Sequence, residues 1–197
     1  MDNPMILYRG TLKSCNYHCS YCPFARRPMG KRELEQDRLQ WEQFVQRLLE
    51  NADSYFNTSI PARAVMVVPY GEALIHPWYW KGLGMLSAHP QTDAVGAQTN
   101  LSFPIESSLA LYQQAGGDLA KLRLWATFHP EMITAEAFAG ACSRLLEAGV
   151  TLCAGAVGKP GNLEQIRRLR QALPKEIYLW INRMDGLDRT YTQEEVD

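Results

Sequence analysis

Short apolar runs alternate with amphipathic segments along the chain, and this alternation constrains the fold more than any other feature of the sequence. Branched and aromatic runs predict strands at 6–8, 64–69, 94–98, 122–128, 150–156 and 177–182. Helical apolar spacing and capping residues predict helices at 31–51, 78–88, 104–116, 134–149, 162–174 and from 192 onward. Six strands alternating with helices predict an α/β fold with parallel strands. Right-handed crossovers would wind this sheet one way into a partial (β/α)6 TIM-like barrel, with a doubly wound open sheet as the alternative.

The size and charge of the chain fit one cytoplasmic domain. Its 197 residues suit a single core domain spanning 1–197, and the net charge of −1 gives no reason to expect nucleic acid as a partner. No apolar run approaches the roughly 20 residues that span a bilayer, so we expect no membrane association. The first residues lack the basic and apolar regions of a signal peptide. A capping box at 192–195 opens a helix just before residue 197, which predicts a missing C-terminal region.

Three of the five cysteines fall within eight residues, directly after the first predicted strand. Cys15, Cys19 and Cys22 form the pattern C-x3-C-x2-C. Three thiolates can bind three corners of a 4Fe–4S cluster and leave one iron open to a small-molecule ligand. A zinc site is the alternative, but zinc usually takes two separated pairs of ligands, and His18 lies inside the same short loop. The other two cysteines, Cys142 and Cys153, are expected to lie in the core.

The segment SCNYHCSYCPF, with an aromatic residue before the third cysteine, resembles the cluster loop of the radical S-adenosylmethionine (SAM) superfamily. This resemblance implies that the open iron chelates the methionine part of SAM. It also implies that an electron from the reduced cluster cleaves SAM to methionine and a 5′-deoxyadenosyl radical, which removes hydrogen from a substrate. Cys15, Cys19 and Cys22 would then be the cluster ligands, and the cofactors would be a 4Fe–4S cluster and SAM.

A second motif follows the second predicted strand. The residues Pro69-Tyr70-Gly71-Glu72 resemble the Gly-Gly-Glu motif of the same superfamily, with Tyr70 in place of the first glycine. The resemblance implies that Gly71 and Glu72 hold the ammonium group of SAM. The alternative for Glu72 is an exposed turn carboxylate.

Polar residues also follow the other predicted strands, at the edge where ligands bind in a parallel α/β barrel. By resemblance, Thr127 and His129 would face the ribose or carboxylate of SAM, whereas Tyr21, Val157 and Asn182 would lie near adenine. Asn100 belongs to the same edge. Ordinary alternatives are a helix cap at Thr99-Asn100 and a loop turn at His129-Pro130. Lys159 and Arg183 could bind substrate, although solvated surface charges are more common.

The opening LYRG…SCNYxCxYCPFA resembles a subfamily distinct from the well-known enzymes, whose members continue with further cysteines. The substrate is not identified by the sequence; a peptide or protein is one class. Activation of a glycyl-radical enzyme and synthesis of a small heterocycle remain alternatives, and an iron–sulfur carrier or degenerate scaffold is the alternative without catalysis. Reduction needs a donor such as flavodoxin or ferredoxin. A small basic cluster follows the cysteine loop. It forms either a docking surface for the electron donor or, as we favour, a solvated helix start, and it consists of Arg26, Arg27, Lys31 and Arg32.

Overall fold

A computed structural model describes residues 5–24, 28–56, 63–184, 186 and 189–196. These residues form a six-stranded sheet in which every neighbouring pair of strands is parallel. The strands are β1 (Met5–Tyr8), β2 (Ala64–Val67), β3 (Ala94–Thr99), β4 (Leu122–Phe128), β5 (Thr151–Val157) and β6 (Leu179–Asn182). The predicted α/β class with parallel strands is therefore confirmed.

The helices follow the predicted alternation. They are α1 (Lys31–Glu50), α2 (Ala52–Phe56), α3 (Pro77–Ala88), α4 (Ile105–Gln114), α5 (Ala135–Glu147), α6 (Leu163–Ala172) and α7 (Gln193–Val196). The short α2 was not predicted. In the described part of the chain, no helix is both long and apolar enough to cross a bilayer.

The order of the strands excludes one of the two predicted architectures. In the sheet the strands lie in chain order from β1 to β6. A doubly wound sheet reverses its strand order at a switch point. No such reversal occurs among the described strands, so the doubly wound alternative is wrong.

The helices cover one face of the sheet. α1 packs against α3, α3 against α4 and α5 against α6, and an ion pair between Arg144 and Glu106 joins α5 to α4. Trp41, Phe128 and Phe138 are fully buried on this side. On the opposite face Leu7 is 61% exposed. The sheet thus has one covered face and one open face.

Local predictions at the helix ends are mostly confirmed. The Thr134 hydroxyl accepts the Ala137 N–H at 3.2 Å, and Gly149 ends α5 with a φ of +87°. Thr192 and Glu195 exchange the two bonds of a capping box. Asn162 stands at the N-cap of α6 as predicted, but its side chain makes no capping bond. It ends a 3-10 turn with a φ of −111° and a ψ of −3°, outside the extended region that capping residues use.

The two isolated cysteines have different surroundings. Cys142 is fully buried in the core between α5 and the sheet, as predicted. Cys153 is only partly buried and lines a cavity on the open face. Its assignment to the core is wrong, because alternate residues of β5 face the side that no helix covers.

Candidate functional site

The loop that carries the three cysteines is held against the loop that follows β2. The Val68 N–H donates to the Tyr8 carbonyl at 2.9 Å, and beyond the strands the Glu72 N–H donates to the Ser14 carbonyl at 2.9 Å. The Gly71 N–H donates to the Leu12 carbonyl at 3.2 Å. These bonds continue the pairing of β1 and β2 past the ends of the strands. They place Glu72 beside the first cysteine.

Gly71 allows this close approach of two backbones. A Cβ atom at position 71 would lie 1.9 Å from the Ser14 carbonyl oxygen and 2.6 Å from its carbon. Neither atom belongs to a side chain that could turn aside. A glycine is therefore required where the two loops meet.

The three cysteines line a cavity of about 270 Å³ at the carboxyl edge of the sheet. Eight of the eleven candidate site residues meet there: Cys15, Cys19, Cys22, Gly71, Glu72, Asn100, Thr127 and His129. They come from the loops or ends of β1, β2, β3 and β4. The parallel topology thus brings together residues that are up to 114 positions apart in the sequence.

The Cys15 sulfur accepts two hydrogen bonds. Its Sγ atom receives the Tyr17 N–H at 3.4 Å and the Asn100 Nδ2 at 3.6 Å. Burial raises the pKa of Cys15, and burial, helped by the charges of Cys22 and Cys15, raises the pKa of Cys19 to about 11. These thiols are therefore protonated at neutral pH, and binding of a metal would release their protons.

The three thiols are a donor set of the kind that holds an iron–sulfur cluster. Among the described residues, no three His, Cys, Asp or Glu side chains are arranged to hold a single ion. A cubane cluster binds each thiolate at a separate iron, so its ligands do not need to converge on a point. Three thiols that line one cavity, with N–H donors directed at sulfur, suit such a cluster.

Glu72 is a buried carboxyl group and not the exposed turn residue that was the alternative. Only 2% of its surface is exposed. It accepts hydrogen bonds from the Thr99 hydroxyl at 2.8 Å, the Asn100 N–H at 2.6 Å and the Leu74 N–H at 3.1 Å. No cationic side chain in the described residues pairs with it. Burial outweighs the three donors and raises the pKa of Glu72 to about 7.

This raised pKa predicts a pH-dependent stability of the cluster-free chain. Between the ordinary pKa of 4.5 and about 7, the unfolded chain loses the Glu72 proton while the folded chain keeps it. The contribution of Glu72 to stability should therefore fall as pH rises through this interval, by roughly 3 kcal/mol at about 1.4 kcal/mol per pH unit. His129, whose pKa is lowered to about 4, contributes in the opposite direction, so the effect of Glu72 is measured as a difference between two proteins. Between pH 5 and pH 8, urea unfolding should show the wild type losing roughly 3 kcal/mol relative to Glu72→Gln. An equal change in both proteins would contradict the prediction.

Thr99 and Asn100 donate hydrogen bonds to Glu72 and do not cap a helix. The Thr99 hydroxyl binds Glu72, and the Asn100 Oδ1 accepts the Ser102 N–H at 2.9 Å. The next helix starts later, with Pro104 at its N-cap. The capping interpretation of Thr99-Asn100 is therefore wrong.

His129 lies between the cysteine loop and β4. Its Nδ1 and the Tyr21 hydroxyl share a hydrogen bond of 2.9 Å, and the two rings stack at 22°. Burial lowers the pKa of His129 to about 4, so its ring is neutral at physiological pH. Its carbonyl also accepts the Met132 and Ile133 N–H groups of a turn. The loop turn at His129 is therefore confirmed, and the role of its ring toward SAM stays a prediction.

Val157 and Asn182 lie apart from this cavity. They are paired in register at the ends of β5 and β6. Asn182 is exposed and lines a different cavity of about 620 Å³, with Arg183 and Tyr191. Their assignment to adenine stays a prediction. Of the predicted basic cluster, Arg26 and Arg27 lie outside the described residues.

A clamp that no sequence pattern predicted holds the cysteine loop, and it consists of Ser20, Glu131 and Lys159. Glu131 accepts the Ser20 N–H at 2.6 Å and the Ser20 hydroxyl at 2.7 Å, and it pairs with Lys159 at 2.8 Å. Hydrogen bonds from Lys159 and Ser20 hold the pKa of Glu131 at about 2. Lys159 is thus paired and is not the solvated charge that we considered more common. Glu131 carried no motif, and only its position after a strand end pointed to the site.

Loss of this clamp should loosen the cysteine loop. In Glu131→Gln we expect the Ser20 N–H to exchange with deuterium about tenfold faster in the cluster-free chain, because a hydrogen bond to a charged acceptor contributes about 1.5 kcal/mol or more. Hydrogen exchange of peptides covering 15–22 measures this. Glu106→Gln, which removes the exposed ion pair with Arg144, is the matched control. Equal exchange in both variants would show that Glu131 does not hold the loop.

No family model, curated protein or solved structure matches the chain. The residues of the chain and their arrangement are therefore the basis for any assignment of function.

Proposed function

We propose that the chain is a radical SAM enzyme that cleaves SAM reductively at a 4Fe–4S cluster. One observation carries the proposal. The thiols of the C-x3-C-x2-C loop line a single cavity with a buried glutamate that lacks a cationic partner among the described residues. This cavity lies at the carboxyl edge of a parallel sheet, where α/β folds bind ligands.

The cysteines would hold the cluster. Cys15, Cys19 and Cys22 would each bind one iron and leave the fourth open. When bound and reduced, the cluster would supply the electron for cleavage of SAM to methionine and a 5′-deoxyadenosyl radical. The Tyr17 N–H and the Asn100 amide would donate to the Cys15 sulfur and so tune its charge.

Other residues of the cavity would bind SAM. Gly71 and Glu72 would accept its ammonium group, which supplies the positive charge that the buried carboxylate lacks. Thr127 and His129 would face the ribose or the carboxylate. Neutral His129 orients Tyr21, and Tyr21, with Val157 and Asn182 further along the edge, would lie near adenine.

The same proposal includes the barrel architecture, the cellular compartment and the electron donor. Strands in chain order under one layer of helices suit a partial (β/α)6 TIM-like barrel, with the open face as its interior. A radical SAM core of this kind would work in the cytoplasm, where thiols stay reduced. Its electron donor would be a reductant protein such as flavodoxin or ferredoxin.

The activity is tested with the reconstituted chain. The protein is loaded anaerobically with iron and sulfide, reduced with dithionite in the presence of SAM, and assayed for 5′-deoxyadenosine. We expect product from the wild type, none from Cys19→Ala, and product from Cys142→Ala, which removes a core thiol. Equal product from Cys19→Ala would contradict the proposal. A bound cluster without product would instead favour an iron–sulfur carrier or a degenerate scaffold.

A further inference from the structure

The open face of the sheet carries a second cavity, of about 490 Å³. Its walls are mainly apolar and include Met5, Leu7, Met66, Trp125 and Cys153. Leu7 and Trp125 are 61% and 36% exposed, although large apolar side chains are usually covered. The volume is typical of sites for small molecules.

This cavity adjoins the cysteine cavity. Arg9 and Gln98 line both of them. A molecule bound on the open face could therefore place the end that contacts Arg9 next to the cysteine cavity. The two neighbouring cavities offer a polar end and an apolar body.

The charges in the second cavity favour an anion. Arg9 and Arg123 line it, and no Asp or Glu does so among the described residues. Arg123 donates to the Ala120 and Leu122 carbonyls, at the end of β4 remote from the cysteines. Arg9 donates through Nε to the Val68 carbonyl at 3.1 Å and lies over the Tyr70 ring. No carboxylate of the described chain forms an ion pair with Arg9, so its terminal nitrogens can receive one from a ligand.

The wall of the cavity favours a flat apolar body. The Trp125 ring meets the Trp180 ring edge to face, with centroids 5.4 Å apart. A Cβ atom on Gly155 would lie 2.4 Å from the Trp180 ring, so the glycine lets this indole lie flat on the sheet and support Trp125. An aromatic or similarly flat group would pack against Trp125.

We infer that the open-face cavity binds the substrate, and that this substrate carries a carboxylate, paired with Arg9, on a flat apolar body that packs against Trp125. The inference rests on the proposed function, because the bound molecule is a substrate only if the chain is an enzyme. The binding preference itself is a property of the folded chain. Arg9 would hold the carboxylate next to the cysteine cavity and so fix which end of the substrate lies near the thiols.

The test uses naphthalene-2-carboxylate and its neutral analogue naphthalene-2-carboxamide as probes, titrated calorimetrically into the full cluster-free chain. We expect the carboxylate to bind at least about fivefold more tightly than the amide, because the ion pair with arginine adds a charge-assisted hydrogen bond. In Arg9→Gln the two affinities should become equal within about twofold. Trp125→Ala should weaken both probes about equally. Arg38→Gln, which changes an exposed arginine of α1, is the control and should bind as the wild type does.

Three results would overturn the inference: no binding of either probe at millimolar concentration, an unchanged preference in Arg9→Gln, or unchanged binding in Trp125→Ala. The last would place the carboxylate in the cysteine cavity instead.

Failure of this inference is distinct from failure of the proposed function. A chain that cleaves SAM but shows no preference for the carboxylate loses only the substrate class. A chain that shows the preference but never cleaves SAM retains the binding site and loses the proposed activity.

Discussion

Gly71→Ala is expected to separate the two loops that build the site. The new Cβ atom would fall 1.9 Å from the Ser14 carbonyl oxygen, and both backbones would have to move. Overpacking typically costs about 1–3 kcal/mol, and the upper end applies where no side chain can yield. We therefore expect the Glu72 N–H, which donates to Ser14, to exchange with deuterium at least about tenfold faster. Iron retained after reconstitution should fall in parallel.

The matched control for this variant is Gly140→Ala. Gly140 lies within α5, and a Cβ atom there would meet nothing within 4 Å. Alanine is the better helix former, so this change should stabilise the chain by about 0.5–1 kcal/mol. Two glycine-to-alanine changes with opposite effects would separate the close approach at Gly71 from general effects of the substitution. Native exchange and full iron content in Gly71→Ala would contradict the described contact.

Glu72→Gln is expected to weaken the binding of SAM at least about tenfold. Glutamine keeps the size of the side chain but removes the negative charge, and hydrogen bonds between charged groups are roughly twice as strong as neutral ones. Equilibrium dialysis of SAM against the reconstituted protein under anaerobic conditions measures the affinity. The Leu74 N–H and the Thr99 hydroxyl share one carboxylate oxygen and would keep an acceptor in the glutamine, whereas the Asn100 N–H would lose its acceptor, so urea unfolding is used to check that the variant is folded.

Glu164→Gln serves as the control for Glu72→Gln. Glu164 is an exposed residue of α6 that pairs with Arg168, far from the cysteine loop in the sheet order. Its replacement should leave the SAM affinity unchanged. A folded Glu72→Gln protein that binds SAM as tightly as the wild type would remove Glu72 from the SAM site.

The sequence predicts the framework well because local patterns determine it. The apolar run at 122–128 coincides with β4, and the capping threonines open α5 and α7 where expected. The gathering of Cys15, Glu72 and His129 in one cavity follows from a parallel topology, since strand ends meet at one edge. Motif spacing and topology together therefore predicted most of the cysteine cavity.

The remainder depends on tertiary contacts that leave no local pattern. Asp37 was part of a predicted amphipathic helix, yet it is fully buried and accepts hydrogen bonds from Thr11 and Tyr79. Asn162 has the residue type of a helix cap but the backbone of a 3-10 turn. The pairing of Glu131 with Ser20 joins residues 111 positions apart. Such contacts arise only after packing has fixed the loops, so periodicity and spacing cannot predict them.

The most direct test of the radical SAM assignment is the electron paramagnetic resonance spectrum of the reconstituted, dithionite-reduced chain with and without SAM. When the methionine part of SAM binds the iron that lacks a protein ligand, the electronic environment of the cluster changes. We therefore predict that SAM shifts the spectrum of the reduced 4Fe–4S cluster in the wild type, and that Glu72→Gln needs more SAM for the same shift. A reduced cluster whose spectrum is identical with and without saturating SAM would contradict the assignment.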